Sequence, residues 1–394
     1  MKRLPKFCLS LLVAGLCAGS AWAVPTVSNV TFSVQSGTKL VDVYYDLAGG
    51  TSAVSLAVSS DGGTTYAVPV TSVTGNVGDG VTVGTGKHIV WDAGTDWAGQ
   101  NSTQLKVKVR AWDLKHETSY EFVKIPAGNY TIGDQSGDGV GQTAVSVSLS
   151  GYYMSVNDTT KAQWDLVRTW GLSNGYTDLA TGAGKASTHP VQTVSWYDVV
   201  KWANAASEKE GLTPCYKVSG AVYRTGNSDS VTCDWAANGY RLPTDAEWEV
   251  AARGGLTGKR FPLGDTISQS QANYYSYGGL SYDLSASSNS VHPTYATGGS
   301  PYTSPVGSFA ANGYGLYDMA GNVFQWCWDW WGWNGGGSNP RGPSTGSTRV
   351  LRGGCWYFNA LSAASAARYN QTPGNDYIVY SFNGAGFRLA RGRP

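Results

Sequence analysis

Alternation of apolar and polar positions dominates the first quarter of the chain. Val27-Ser28-Asn29-Val30-Thr31-Phe32-Ser33-Val34 changes face at nearly every step, as do Leu40 to Tyr45 and Ala53 to Val58. Leu105-Lys106-Val107-Lys108-Val109-Arg110-Ala111 repeats the pattern with its cations outward. A period of two belongs to a half-buried strand. Ser60-Asp61-Gly62-Gly63 and Gly78-Asp79-Gly80 punctuate these runs at hairpin spacing. Residues 24–115 are therefore expected to form a small all-β sandwich of immunoglobulin or fibronectin type. Spacer and adhesion module are both open as its role.

Around Asp113 to Thr118 the charge density rises and the period changes, which marks a boundary. Three helices are expected beyond it. The first covers Thr160 to Trp170, with Gln163, Leu166, Val167 and Trp170 on one face. The second has Ser195 as N-cap and Asp198 three residues on, and stops at Gly211; the third has Thr244 and Glu247 as a capping box and ends at Arg253-Gly254. The remainder is Gly, Ser, Tyr and Asn with short strands, including a polar loop from Tyr274 to Ser304. The second unit, residues 118–394, is thus an α+β domain with sparse regular structure.

Composition narrows the class. Charged residues make up 14% of the 394, well below the quarter or so of an average soluble domain. Gly 52, Trp 16 and Tyr 24 take their place, which excludes a coiled coil, a long-helix protein and a charged disordered tail. Lys2, Arg3 and Lys6, the apolar run Cys8 to Cys17 and Ala21-Trp22-Ala23 form a signal peptide over 1–23, with the mature chain starting at Val24. No later run is long enough to span a membrane. The expected location is secreted, periplasmic or cell-surface. With the leader removed, 28 basic residues fall to 25 against 27 acidic, a balance of −2. That gives no electrostatic case for nucleic acid or anionic membrane as partner.

Export bears on the cysteines. Cys215, Cys233, Cys327 and Cys355 remain after cleavage. Cys215 and Cys233 flank a short polar hairpin, and a disulfide between them is expected in an oxidising compartment. Cys327 and Cys355 either pair or stay free as small buried residues. The four His, at 88, 116, 189 and 292, are scattered, and no C-x-x-C occurs, which argues against a zinc site.

Five blocks then carry a resemblance. They are Phe122-Val123-Lys124-Ile125-Pro126-Ala127-Gly128 with Ile132-Gly133, and His189-Pro190-Val191-Gln192-Thr193-Val194-Ser195-Trp196. Tyr240-Arg241-Leu242-Pro243-Thr244-Asp245-Ala246-Glu247-Trp248-Glu249 with Ala252-Arg253-Gly254-Gly255 is the third. Asn312-Gly313-Tyr314-Gly315-Leu316-Tyr317-Asp318-Met319 with Gly321-Asn322-Val323-Phe324-Gln325-Trp326 is the fourth; Arg349 to Gly354 and Gly386-Phe387-Arg388 close the set. Over residues 118–392 the chain resembles the formylglycine-generating enzyme, or sulfatase-modifying factor, family. The resemblance implies a C-type-lectin-like fold.

It also implies a copper-dependent oxidation of a protein cysteine by two thiolates, which suit Cu(I). The two family cysteine positions are Phe358 and Ala363 here, so no catalytic residue is assigned and copper is not expected. Cys355 follows the Arg-Gly-Gly motif and is the one remaining candidate for a reactive thiol, against a buried or bridged one. The related iron-dependent sulfoxide synthases need three His from an added helical domain; His189 is isolated and is expected to be a structural hydrogen-bonder. The resemblance places a structural calcium on Asp318, Gly321, Val323 and Gln325, where Gln325 replaces a Glu. It places a second, weaker site on Asn273, Tyr274, Gly298 and Ser300, where Gly298 replaces an Asp.

The C-terminal stretch suggests recognition. Trp356, Tyr357, Phe358, Tyr369, Tyr377, Tyr380 and Phe382 stand among small residues with few charges, a composition typical of recognition surfaces. Variable proteins of diversity-generating retroelements are similar in fold and diversify this same segment. Two function classes follow. The first is an exported binding protein that holds a peptide, protein or glycan on this surface. The alternative is an oxidoreductase of the formylglycine-generating type.

Overall fold

Among the described residues seven strands build the N-terminal unit. They are β1 (Thr26–Val34), β2 (Leu40–Ala48), β3 (Ser52–Ser59), β4 (Val73–Gly75), β5 (Gly78–Val81), β6 (Gly84–Asp92) and β7 (Lys106–Asp113). Alternation marks four of them, β1, β2, β3 and β7. One sheet runs β1-β2-β6-β4 and the other β5-β3-β7, with antiparallel pairing throughout. Val41, Val43, Tyr45 and Leu47 of β2 meet Ile89 and Trp91 of β6 and Val54, Leu56 and Val58 of β3 in one core. β1 departs from its pattern. Its register shifts between Ser28 and Thr31, and Phe32 and Val34 stay 37% and 57% exposed, as an edge strand allows.

The computed structural model describes residues 25–392, apart from 64, 65, 67, 114, 117–119, 138, 286–288, 333, 334 and 377–383. The expected leader lies outside these residues.

In the second unit the expected caps at Ser195 and Thr244 each start a helix, and Thr160 caps the first in the same way. Thr160, Ser195 and Thr244 accept from the backbone N–H of Gln163, Asp198 and Glu247, and each of these side chains returns a bond to the cap. The helices run Lys161–Leu172, Trp196–Lys209 and Asp245–Arg253. Gly254, at φ 57°, ends the third. The first helix turns differently from expectation. Trp164, Val167 and Gly171 are its buried residues, and Leu166 is 49% exposed. Trp164 is the larger anchor. Its indole stacks on Trp202 at 5.5 Å and meets the edge of Phe387, and that contact sets the rotation of the helix.

A four-stranded sheet lies behind these helices. Phe324–Trp330 is flanked by Arg349–Arg352, antiparallel, and Ala385–Gly386, parallel, with Tyr369–Gln371 at the edge. A second sheet joins Tyr120–Ile125, Tyr152–Ser155 and Ala390–Gly392. Among the described residues no helix is long and apolar enough to cross a membrane.

Candidate functional site

The helix Asp245–Arg253 turns its acids inward, and arginines from the helix, its entry and the strand Arg349–Arg352 meet them. Arg241 binds Glu247 through two nitrogens, at 2.6 and 2.7 Å. Arg352, fully buried, bridges Asp245 and Glu249, and Arg253 shares Glu249 at 2.7 Å. Arg368 Nε lies 2.8 Å from the other oxygen of Asp245, out of hydrogen-bond alignment. Pairs of this kind roughly balance their desolvation, but losing one partner costs about 3–5 kcal/mol. Gly353 and Gly354, at φ 89° and 71°, carry the chain away from Arg352. A Cβ on Gly354 would stand 3.0 Å from the backbone of Ser362.

That turn delivers the segment where the family chemistry would sit. Phe358 forms an edge-to-face triangle with Phe324 and Tyr369, with centroids 5.0–5.7 Å apart. Ala363 is 1% exposed and packs with Phe261, Ile267 and Tyr274. Hydrocarbon fills both positions. Cys355 is 2% exposed, and burial pushes its thiol up to about 12. The Cys327 thiol is pushed well up by the same cause. Thiolate is the reactive form of cysteine, and burial disfavours it at Cys355.

The expected bridge between Cys215 and Cys233 is not formed; all four described cysteines are free. Strand pairing nevertheless sets Tyr216 opposite Cys233 and ties Asp234 N to Cys215 O at 2.7 Å, so the two thiols hydrogen-bond. That bond holds Cys215 below the usual thiol range, while burial raises Cys233 well above it.

Of the aromatic recognition set, Tyr377, Tyr380 and Phe382 lie outside the described residues. Trp356 is 2% exposed and belongs to the core, and Phe358 and Tyr369 pack partly buried against it. Among the described members Tyr357 alone is exposed, at 39%. The smaller residues on either side let the larger rings turn inward, which composition does not reveal. Tyr275, absent from the expected set, lies beside Tyr357 at 6.2 Å because its N–H donates to Phe358 O. His189 is buried, contacts Thr303 Oγ1 through Nδ1 at 2.9 Å, and has its pKa lowered by burial and then by Lys185. It is a structural hydrogen-bonder, as expected.

The calcium set fits only in part. Asp318 Oδ1 is buried without a partner, as a waiting ligand would be. Gln325 does not fit. Its Oε1 already accepts from Trp248 Nε1 at 2.6 Å and Arg388 Nε at 2.7 Å, and its Nε2 donates to Asp318 O at 2.9 Å. An amide N–H therefore faces the loop where calcium would need oxygen. Flipping the amide would leave the two buried donors against an NH₂. Gly321 and Val323 lie in this loop, and Gly321 N donates to Gly353 O. At the second set, Asn273 Oδ1 is free, but Tyr274 O accepts from Gln269 Nε2 at 3.0 Å. Neither set offers a full shell of free oxygens.

One feature escaped the sequence altogether. The Arg349 guanidinium lies 3.4 Å from the centroid of Trp330 and 3.8 Å from that of Trp196, with Trp328 at 5.1 Å. Nη1 donates to Trp328 O, while Nε and Nη2 have no partner. Burial lowers its pKa to about 9. Nothing in the local sequence but the density of tryptophan hints at this.

The ordered blocks, the buried arginine lattice and the sparse α+β frame converge. Sulfatase-modifying factor enzyme 1-like domains match residues 110–393. The chain belongs to this family. Within it, the chain is 31% identical to the mouse formylglycine-generating enzyme over 298 residues, 68% of this chain and 74% of that protein. It is 38% identical over 192 residues, 47% of this chain, to the serine/threonine-protein kinase pkn1 of Chlamydia caviae, of which it spans only 26%. Treponema denticola variable protein 1 superposes with a TM-score of 0.52 at 30% identity, covering 70% of this chain and 95% of that one.

Proposed function

We propose that this family member binds a ligand and does not generate formylglycine. The observation that carries the reading is the packing at Phe358 and Ala363, where two metal-binding sulfurs would stand. The Cys355 thiol, held near 12 by burial, offers no substitute. The surface around Tyr357 and Tyr275 would meet a peptide, protein or glycan. A variable protein among the structural relatives supports the same direction. Export by the N-terminal leader is part of this reading, and so is closure of Cys215 and Cys233 into a disulfide in an oxidising compartment. Alkylation before and after reduction of protein purified from culture medium checks the pairing; two thiols appearing only after reduction is the expected result.

Incubation with copper and a sulfatase-motif cysteine peptide tests the main claim. No aldehyde above background is expected, and aldehyde formation lost in Cys355→Ala would establish the oxidoreductase alternative. Screening immobilised peptides and glycans should return a ligand whose binding falls at least about tenfold in Tyr357→Ala, the loss of roughly 1.4 kcal/mol.

A further inference from the structure

Where β6 ends, Asp92 caps a single helical turn, Ala93–Asp96, and the chain crosses the end of the sandwich before entering β7. This crossing leaves a cavity of about 260 Å³ lined by Val41, Trp91, Trp97, Leu105, Lys39 and Asn101. It falls just below the range of roughly 300–1,000 Å³ typical of drug-sized ligands and suits a single ring.

The pocket is held rigidly. Asp96 accepts from Thr71 N at 2.6 Å, Ser72 N at 2.7 Å and Trp91 Nε1 at 2.9 Å. These bonds hold its carboxyl well below the usual range despite some desolvation. Trp97 N closes on Ala93 O at 3.0 Å, and Ser102 Oγ ties the far side of the loop to Ser60 O at 2.7 Å. Trp91 has thus given its N–H to Asp96 and lies fully buried beneath the pocket, whose apolar surface comes from Val34, Trp97 and Leu105. The rim is the opposite. The Trp97 indole N–H, the Gln100 and Asn101 amides and the Lys39 ammonium make no hydrogen bond or ion pair with any described residue.

We propose that this pocket binds one pyranose ring of a glycan. An apolar floor beneath a rim of uncommitted amide, indole N–H and ammonium groups suits a ligand with the same division, a C–H face and a hydroxyl edge. An aliphatic ligand would desolvate those groups without replacing their bonds. A polyanion would find one cation only. A single ring in a preformed pocket of this size has a dissociation constant on the order of 1 mM.

Saturation-transfer NMR on the full mature chain tests this, with methyl glucoside, galactoside, mannoside, N-acetylglucosaminide and glucuronide as probes. At least one should receive magnetisation at its ring protons, with a dissociation constant that rises about tenfold in Trp97→Ala and severalfold in Asn101→Ala. The glucuronide arm reads Lys39: a preference for it that vanishes in Lys39→Gln assigns the ammonium to a sugar carboxylate. Asn101→Ala and Lys39→Gln lie at the rim and keep the test open should Trp97→Ala fail to fold. No transfer to any pyranoside, or transfer unchanged in every folded variant, overturns the proposal. Tyr357→Ala should leave this binding unaltered, which separates it from the C-terminal surface.

Discussion

At the scale of single residues, two buried side chains carry testable energetics. Asp318 is buried at φ 53°, and burial raises its carboxyl to about 6. A group held above its unfolded value near 3.9 binds its proton more tightly in the folded state. Its stabilising effect is therefore complete below about pH 4 and lost as pH rises through about 6. Asp318→Asn keeps an acceptor for Gly307 N and tolerates the left-handed backbone. The variant should be more stable than the parent above pH 6, by up to roughly 3 kcal/mol, with the difference gone near pH 4. Urea titrations at pH 4, 6 and 8 measure it. Gln325 is the second. Gln325→Ala leaves Trp248 Nε1 and the Arg388 guanidinium facing a void, and unsatisfied buried donors cost about 1–3 kcal/mol each, more for the charged one. Chelator should leave the melting temperature of the parent protein unchanged, because Gln325 already supplies the internal bonds of this loop. A fall of several degrees would restore the calcium reading.

At the scale of elements, capping and packing can be separated. Thr244→Ala removes one acceptor at a helix start, and such a loss costs about 1 kcal/mol. Glu247→Ala removes the capping partner and also strands Arg241 in the interior, for about 3–5 kcal/mol. A double-mutant cycle with Arg241→Met should recover much of the second loss, because the uncompensated cation goes with it. In the helix Lys161–Leu172, Trp164→Ala should cost about 3–5 kcal/mol, whereas exposed Leu166→Ala should stay within about 0.5 kcal/mol. Denaturant midpoints decide between this rotation and the one the hydrophobic pattern suggests.

At the scale of the molecule, the apolar cluster of the sandwich shares no residue with the clusters of the second unit. Calorimetry should show two transitions. Trp91→Ala empties a fully buried site in the sandwich alone and should lower one transition while leaving the other in place. A concerted shift of both would show that the units stabilise each other. The same division lets ligands be assigned: pyranoside binding should protect the sandwich transition, and a ligand of the Tyr357 surface the other.

Much of this was written in the chain. Periods of two placed β1, β2, β3 and β7 of the sandwich, but not β4, β5 or β6. Caps at Ser195 and Thr244 fixed the starts of two helices, because a cap is a local bond between positions three apart; the first helix runs to Leu172, two residues beyond its expected end. The resemblance assigns the family's two cysteine positions to Phe358 and Ala363, which carry no sulfur. Other features depended on residues far apart in sequence. Which aromatic of 356–358 faces water is decided by Phe324, Tyr369 and Tyr275. The orientation of the Gln325 amide is set by Trp248 and Arg388, 77 and 63 positions away. The cage around Arg349 draws Trp196 from a helix and Trp330 from a neighbouring strand. Local patterns record bonds that the chain makes with itself over a turn or a hairpin; the direction a buried side chain takes is decided only when distant segments meet, and that meeting belongs to the tertiary structure.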